Sequence, residues 1–152
     1  GRTVVDTAVR LACTVVSIKK KPDHGDAIVV DAGVNILPTA YWYDHEIERA
    51  KGREKKEVKT LRPVSVFGPL CMQIDVVRER ALLPPLSVGD PLLISNVGAY
   101  CQTQSMQFIH TRPATILLGP DGPEVIRQRE TWRDFFCNDS IPARLRPPNA
   151  DF

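Results

Sequence analysis

Short runs of aliphatic and β-branched residues, each ended by a turn-forming residue, recur along the chain and constrain its fold more than any other feature. Ala27–Gly33, Val64–Phe67 and Pro91–Ile94 are three such runs. Two more, Thr115–Leu118 and Glu124–Arg127, flank a Gly-Pro-Asp-Gly-Pro stretch and predict a β-hairpin. Strand and helix patterns do not alternate along the chain, and we expect little helix. We therefore expect an all-β fold of about seven or eight short strands, a Greek-key-like β-barrel or sandwich with short helical segments.

Several segments outside these runs carry weaker patterns. Thr3–Ile18 is rich in Val, Thr and Ile, and predicts either a pair of strands or one long bent strand. The densely charged stretch Glu46–Lys59 predicts an exposed loop, with or without a helical turn, and Lys19–Asp26 predicts a solvated hairpin loop rather than a phosphate-binding patch. A short strand is expected to begin at Asp75, and Thr131 is expected to cap a short helix.

Length, charge and cysteine spacing limit the classes of function. A chain of 152 residues fits one domain, which we expect to span residues 1–152. The net charge of +2 gives no electrostatic case for binding nucleic acid or an anionic membrane. No run of about eighteen apolar residues exists, and the first residues lack the layout of a secretory signal. The 4 cysteines form no Cys-x-x-Cys pair, so we expect no metal site and no disulfide framework, but reduced thiols in a cytoplasmic protein.

Cys71 is the side chain with the clearest chemical potential. It follows a Gly-Pro turn at a predicted strand end, where a thiol could act as a proton donor or nucleophile, although a lone cysteine there is more often a small buried hydrophobe. Asp75 is close enough in sequence to share such a site. The other cysteines are expected to be small buried hydrophobes, and the histidines to have surface or packing roles. The aromatic stretch Tyr41–His45 fits two interpretations equally, an edge strand that covers the core or the wall of a cleft or interface.

Read in order, marker stretches of the chain resemble the C-terminal part of the diaminopimelate/ornithine decarboxylase family of pyridoxal-phosphate enzymes. The run from Gly68 to Asp75 is similar to that family's Gly-Pro-x-Cys-x-x-x-Asp signature. The other matching stretches are Gly1-Arg2 (the end of a Glu-Pro-Gly-Arg motif), Val29–Asn35, Leu83–Asp90, Gly98–Tyr100 and Arg112-Pro113. Each fragment alone is weak, but their order and near-correct spacing cover nearly the whole chain and make the resemblance specific.

The resemblance implies an architecture and a cofactor. Enzymes of this family combine a (β/α)8 barrel that holds pyridoxal 5'-phosphate with a C-terminal β-barrel domain of the kind found in alanine racemase-like decarboxylases. Their active site forms between the barrel of one subunit and the β-domain of its partner in a homodimer. The chain resembles the β-domain alone, because the (β/α)8 barrel and its Schiff-base lysine are absent from it. We expect the isolated chain to be inactive, and to be a fragment or one half of a split enzyme.

The resemblance also implies cofactor-binding roles for Gly1, Arg2 and Tyr100. The guanidinium of Arg2 would contact the cofactor phosphate or a substrate carboxylate, since its planar set of donors suits both anions. Tyr100 would lie against the cofactor and donate a hydrogen bond to its phosphate.

Three further residues take roles toward the substrate by the same resemblance. Cys71 would reach across the dimer interface as the catalytic acid that protonates the substrate carbon after carbon dioxide leaves. Asp75 would orient that site, and both Asp75 and Tyr41 are assigned to substrate binding.

The chain departs from the family pattern at two positions that concern the substrate. The residue after the catalytic cysteine is usually acidic in the family and meets the substrate's distal amine, but here it is Met72. The arginine that precedes the family's Pro-Ala-Leu-Tyr stretch is also missing, since Leu37 stands before Pro38. We therefore expect a small-molecule amino-acid substrate that is neither diaminopimelate nor ornithine, such as a less polar amino acid or a biosynthetic intermediate.

Two other functions are weighed against the decarboxylase. One is a non-catalytic β-barrel module that keeps the scaffold for binding small molecules or for dimerisation. The other is alanine racemase, which shares the two-domain plan, although the Gly-Pro-x-Cys signature favours the decarboxylase. Cys71 and Tyr100 distinguish the decarboxylase from the non-catalytic module. The enzyme needs both side chains at an open cleft, whereas a scaffold allows Cys71 to be buried.

Overall fold

The computed structural model describes residues 1–20, 25–50 and 60–146. These residues belong to two compact units, Gly1–Met106 and Gln107–Phe152. Among the described residues, none of the helices is long and apolar enough to cross a membrane.

The first unit is built mainly of strands. Its helical elements are short and lie at the start of the chain and between strands: α1 (Arg2–Val5), a 3-10 turn (Asp6–Ala8), a second 3-10 turn (Pro38–Tyr41) and α2 (Cys101–Gln104). Its strands are β1 (Leu11–Lys19), β2 (Asp26–Val30), β3 (Ile47–Arg49), β4 (Arg62–Phe67), β5 (Val76–Leu83) and β6 (Pro91–Ile94).

The six strands form one sheet in the order β3-β6-β1-β2-β4-β5, in which β2 and β4 are parallel and all other neighbours are antiparallel. β1 joins the two halves of the sheet. Its first residues, Leu11–Thr14, pair with β6, and from Val15 onward it pairs with β2, with a register shift between Val15 and Ser17. The edge strands β3 and β5 contact each other, so the sheet nearly closes into a barrel. The all-β prediction is confirmed.

The core lies inside this sheet and follows the alternation of its strands. In β4, Val64 and Val66 are buried while the residues between and beside them are more exposed, which is the period of two expected of a strand. Leu92 and Ile94 of β6 repeat the pattern with no exposed surface.

The prediction of strand throughout Thr3–Ile18 is wrong in its first half. The backbone N–H groups of Val4 and Val5 both donate to the carbonyl of Gly1, and β1 begins only at Leu11. β-branched residues disfavour helix only slightly, and tertiary contacts override that preference. Here the turn after α1 is fixed from outside, because the N–H of Gly98 donates to the carbonyl of Asp6 at 3.0 Å.

Two charged loops were predicted, and each is partly outside the described residues. Within Glu46–Lys59, the prediction of a loop is wrong for Ile47–Arg49, which pairs with β6, and residues 51–59 are not described. Residues 21–24 of the predicted hairpin loop are also outside the described part of the chain. The strand expected to start at Asp75 begins one residue later and extends to Leu83.

The second unit contains the predicted hairpin and the predicted capped helix. The hairpin consists of β7 (Thr115–Gly119) and β8 (Gly122–Arg127), and the helix is α3 (Trp132–Phe135), followed by a 3-10 turn at Ala143–Leu145. Thr131 caps α3 through a capping box with Asp134. None of the described residues 107–146 is buried, although the unit is rich in large apolar side chains.

Candidate functional site

Cys71 lies in the turn that connects β4 to β5. The turn is closed at its base by the Gly68 N–H, which donates to the carbonyl of Asp75 at 3.0 Å. Inside it, the N–H of Asp75 donates to the carbonyl of Met72, also at 3.0 Å. The Cys71 side chain is exposed, unlike the small buried hydrophobe that a lone cysteine would ordinarily be. A thiol in this position is accessible to a reacting molecule.

Asp75 is buried beneath the turn and ties it to a second loop. Only 3% of the residue is exposed. Its Oδ2 accepts the N–H of Leu70 at 2.7 Å, and its Oδ1 accepts the N–H of Val34 at 2.8 Å. Hydrogen bonds from N–H groups to a buried carboxylate are among the stronger ones in proteins. The carboxylate therefore fixes the residue before Cys71 against the loop that follows β2.

Two glycines leave the space that this carboxylate occupies. A Cβ atom added to Gly68 would lie 2.3 Å from both carboxylate oxygens of Asp75, and one added to Gly33 would lie 2.4 Å from Oδ1. Both distances are far shorter than carbon and oxygen tolerate. Only glycine fits at either position while Asp75 is present.

These contacts bear on the role predicted for Asp75. Its bonds to the backbone on both sides are those of a residue that orients the Cys71 turn. Direct contact between Asp75 and a substrate stays a prediction.

The residues predicted to bind the cofactor come together at the start of the chain. The hydroxyl oxygen of Tyr100 lies 3.3 Å from the position that a Cβ atom of Gly1 would occupy. Next to Gly1, the Arg2 guanidinium carbon lies 3.8 Å from the centre of the Tyr43 ring, and its NH1 group is 3.3 Å from Oδ2 of Asp6. The hydroxyl of a half-exposed tyrosine and the guanidinium of a partly exposed arginine are a donor set that fits a phosphate group.

Gly98 allows this arrangement, and sequence reasoning missed why. A Cβ atom at Gly98 would lie 1.7 Å from the carbonyl oxygen of Val5, so α1 packs directly on the backbone of the Gly98–Tyr100 stretch. Glycine is needed there for close approach rather than for a turn. The close approach brings Arg2 and Tyr100 to the same part of the unit.

A buried group of polar side chains lies beneath these residues. Thr39 Oγ1 is 2.7 Å from Nε2 of His45 and 3.0 Å from Sγ of Cys101, and Nδ1 of His45 is 3.1 Å from the carbonyl oxygen of Ser95. Burial lowers the pKa of His45 and raises the pKa of the Cys101 thiol, so both side chains are held neutral. The packing roles predicted for His45 and Cys101 are confirmed, but no sequence pattern indicated that they share a hydrogen-bonding partner.

Tyr41 and its neighbour Trp42 are largely exposed, at 70% and 60% of their surfaces. Tyr41 ends a 3-10 turn, so the interpretation of this stretch as an edge strand covering the core is wrong. The two rings meet edge to face with centres 6.3 Å apart. Exposed aromatic side chains of this kind fit the alternative, the wall of a cleft or interface.

The remaining cysteines divide between the two environments. Cys13 and Cys101 are buried as predicted, and burial together with the nearby charge of Asp31 raises the pKa of Cys13 to about 12. Cys137 is exposed, so the prediction of a buried hydrophobe is wrong there, because none of the described residues of its unit, 107–146, is buried. Within the described ranges, no three His, Cys, Asp or Glu side chains are grouped to hold a metal ion.

Comparison with known proteins gives one family and several full-length relatives. The family model "Pyridoxal-dependent decarboxylase, C-terminal sheet domain" matches residues 3–98. The diaminopimelate decarboxylase of Methanocaldococcus jannaschii is 35% identical over 148 residues, which are 95% of this chain and 32% of that protein. That of Helicobacter pylori is 35% identical over 143 residues, 90% of this chain and 33% of that protein. The chain thus spans about a third of the length of the curated relatives it matches.

Solved structures give the same picture. A crystal structure of the M. jannaschii diaminopimelate decarboxylase superposes with a TM-score of 0.84 at 32% identity, over 96% of this chain and 33% of that chain. The H. pylori enzyme in complex with L-lysine superposes with a TM-score of 0.77 at 30% identity, over 90% of this chain and 33% of that chain.

Proposed function

The chain belongs to the pyridoxal-dependent decarboxylases as their C-terminal sheet domain, and from this we propose that it forms part of an enzyme that removes carbon dioxide from an amino acid. The observation that carries the proposal is the exposed thiol of Cys71 in a turn that Asp75 holds from beneath. A module kept only as a scaffold has no need of an accessible thiol on a turn fixed in this way.

The chain's own residues divide the work between two places. Gly1, Arg2 and Tyr100 would hold the phosphate of pyridoxal 5'-phosphate, through the guanidinium, the phenol hydroxyl and the backbone beside them. Bound there, the cofactor supplies the electron sink that makes loss of carbon dioxide possible.

Cys71 acts after carbon dioxide has left. Its S–H bond breaks and a C–H bond forms at the substrate carbon, so that the sulfur is left as a thiolate. Because the side chain is exposed, the thiolate regains its proton from solvent once product leaves. Asp75 keeps the turn in place throughout, since both of its oxygens are bonded to backbone N–H groups.

The test is carbon dioxide release by the complete enzyme, with this chain joined to its (β/α)8 domain and supplied with pyridoxal phosphate. We expect release from at least one amino acid, and diaminopimelate belongs in the panel because the relatives are named for it. Cofactor binding without release from any member of the panel would contradict the proposal. That result would support a non-catalytic binding or dimerisation module instead.

The second unit supports the need for the (β/α)8 domain. Several large apolar side chains of the second unit are at least half exposed: Ile116, Leu117, Leu118, Val125, Ile126, Trp132, Phe136, Ile141 and Leu145. A two-stranded hairpin without a buried face is marginally stable in water. The family's sheet-domain model ends at residue 98, whereas the match to the full-length relatives continues over 95% of this chain. We propose that the hairpin is covered by the remaining two thirds of the enzyme, which the family resemblance identifies as the (β/α)8 barrel, since this chain spans only 32% of its relative from M. jannaschii.

Replacing Leu118 or Ile126 with serine should destabilise the complete enzyme by about 2 kcal/mol, as expected for an apolar side chain that another domain covers. Val88→Ser is the matched control, since Val88 is similarly exposed but lies in the first unit, and it should change stability by less than about 0.5 kcal/mol. Urea denaturation measures both. Equal, small effects would mean that the hairpin stays uncovered, and a loss of stability that depends on protein concentration would identify a second copy as the cover.

The substrate is proposed to differ from diaminopimelate and ornithine at its distal end. Support comes from Met72, a half-buried thioether next to Cys71 that cannot pair with an ammonium group. The other departure carries no weight, because Leu37 is fully buried in the core and a side chain there would not meet a substrate.

Met72→Glu should raise kcat/KM for diaminopimelate or ornithine relative to a less polar amino acid by about 10- to 100-fold, since a carboxylate beside Cys71 would pair with the distal amine. Gln73→Glu adds the same charge at the next, exposed position and should leave the ratio nearly unchanged. Steady-state assays with both substrates give the ratio. Wild-type enzyme that already prefers diaminopimelate over every less polar amino acid would refute this substrate assignment.

A further inference from the structure

Starting from the proposed function, we propose that Thr39, His45 and Cys101 form a buried positioning chain that holds Tyr100 and Arg2 in place to receive the cofactor phosphate. None of the three touches the cofactor in this proposal. They act through the residues that do.

The direction of each hydrogen bond in the chain follows from the chemistry of its ends. The carbonyl of Ser95 only accepts, so Nδ1 of His45 carries the hydrogen and donates to it. In the neutral ring Nε2 must then accept, and the Thr39 hydroxyl donates to it. The Thr39 oxygen is left to accept the S–H of Cys101. In this one arrangement every donor and acceptor of the positioning chain has a hydrogen-bonding partner. Thr39, His45 and Cys101 are at most 1% exposed.

The positioning chain acts on Tyr100 through the next residue, Cys101. Tyr100 has a φ of +67°, in the left-handed region that a tyrosine rarely adopts. Strain of this kind persists only where the surroundings fix the backbone, and it concentrates at functional sites. The residues on both sides supply that constraint, because Ala99 is buried and the Cys101 thiol is anchored on Thr39.

The positioning chain acts on Arg2 through the ring of Tyr43. The Tyr43 ring packs edge to face on His45, with centres 4.8 Å apart, and Arg2 lies over Tyr43. The charges near His45 are those of Arg2 and Arg78, which disfavour a further positive charge there, and that of Asp6, which favours one. Because His45 is neutral, it does not compete with the guanidinium of Arg2 for the ring of Tyr43.

The test compares Thr39→Val, which keeps the shape and removes the hydroxyl, with Thr39→Ser, which keeps the hydroxyl. In the complete enzyme, Thr39→Val should raise the dissociation constant for pyridoxal phosphate about five- to tenfold, while kcat at saturating cofactor stays close to that of wild type. Thr39→Ser should bind the cofactor like wild type. A fall in kcat with unchanged cofactor affinity would overturn the proposal.

A second readout needs no cofactor. Amide hydrogen exchange of the protein without cofactor reports on two N–H groups next to the strained residue Tyr100. The N–H of Cys101 donates to the carbonyl of Ala99, and that of Gln104 donates to the carbonyl of Tyr100. Exchange at these two sites should rise in Thr39→Val and not in Thr39→Ser. Equal exchange in the two variants would overturn the positioning role. Wild-type protein that binds no cofactor would instead refute the proposed function, and the exchange comparison would still test the positioning role.

Val15→Ala separates positioning from general loss of stability. Val15 is fully buried in β1 and belongs to none of these contacts, so its truncation should destabilise the fold with cofactor affinity unchanged. If cofactor affinity fell equally in Val15→Ala and Thr39→Val, the effect would follow stability and the proposal would fail. His45→Gln replaces the imidazole with an amide that can still donate to the Ser95 carbonyl and accept from Thr39, so it should lose less cofactor affinity than Thr39→Val.

Discussion

Replacing Cys71 with alanine should lower the rate of carbon dioxide release or of product formation by about 10²- to 10⁴-fold, the range by which a positioned acid accelerates proton transfer. The thiol is exposed in a fixed turn, and alanine leaves only solvent to protonate the substrate carbon. The decrease should appear in kcat, with cofactor affinity unchanged, because the proposed phosphate ligands lie elsewhere on the chain. Single-turnover measurement of product formation in the complete enzyme gives this rate.

Cys137→Ala is the matched control for this experiment. Cys137 is also an exposed cysteine, but it lies in the second unit and no role is proposed for it. Its variant should keep wild-type turnover. Unchanged turnover in Cys71→Ala would remove Cys71 from the mechanism, and an equal loss in both variants would point to a general effect of removing exposed thiols.

Replacing Gly68 with alanine should destabilise the complete enzyme by about 3 kcal/mol, since the new methyl group would overlap both oxygens of the Asp75 carboxylate. Neither Gly68 nor Gly33 has a positive φ, so the effect is steric rather than conformational. In an Asp75→Ala background the obstruction is gone. Gly68→Ala should then add little to the loss that Asp75→Ala causes by leaving the N–H groups of Val34 and Leu70 without their acceptor, about 1–3 kcal/mol for each group.

A double-mutant cycle measured by urea denaturation checks this coupling. Gly119→Ala serves as the control, because a Cβ atom there makes only ordinary contacts, and it should change stability by well under 1 kcal/mol. Additive effects of Gly68→Ala and Asp75→Ala would show that the carboxylate is not what excludes a side chain at position 68.

Local patterns predicted the strands that lie between clear turn signals. The runs Ala27–Gly33 and Val64–Phe67 correspond to the observed β2 (Asp26–Val30) and β4 (Arg62–Phe67), and the β7–β8 hairpin was predicted as well. They failed at Arg2–Ala8, where a helix is stabilised by contacts with Gly98 far along the chain. A run of valines and threonines gives no sign of such a partner. Propensity decides the outcome only where tertiary contacts do not.

The candidate site was predictable to the extent that it is a motif. The Gly68–Asp75 run indicated Cys71 directly, and Gly1 with Tyr100 were indicated by their own short markers. The hydrogen bonds that hold these residues in place were not predictable. Val34 and Asp75 are 41 positions apart, and Thr39 and Cys101 are 62 apart. Pairings of that separation leave no periodic trace in one sequence.

The carboxylate beneath the Cys71 turn also limits how this protein can change over generations. Asp75, Gly33 and Gly68 occupy one volume, so a larger residue at either glycine is tolerated only after the acid has gone. Losing the acid first leaves the turn without its anchor. Each single step away from the trio passes through a damaged protein, and descendants of this chain should therefore keep all three or replace them together.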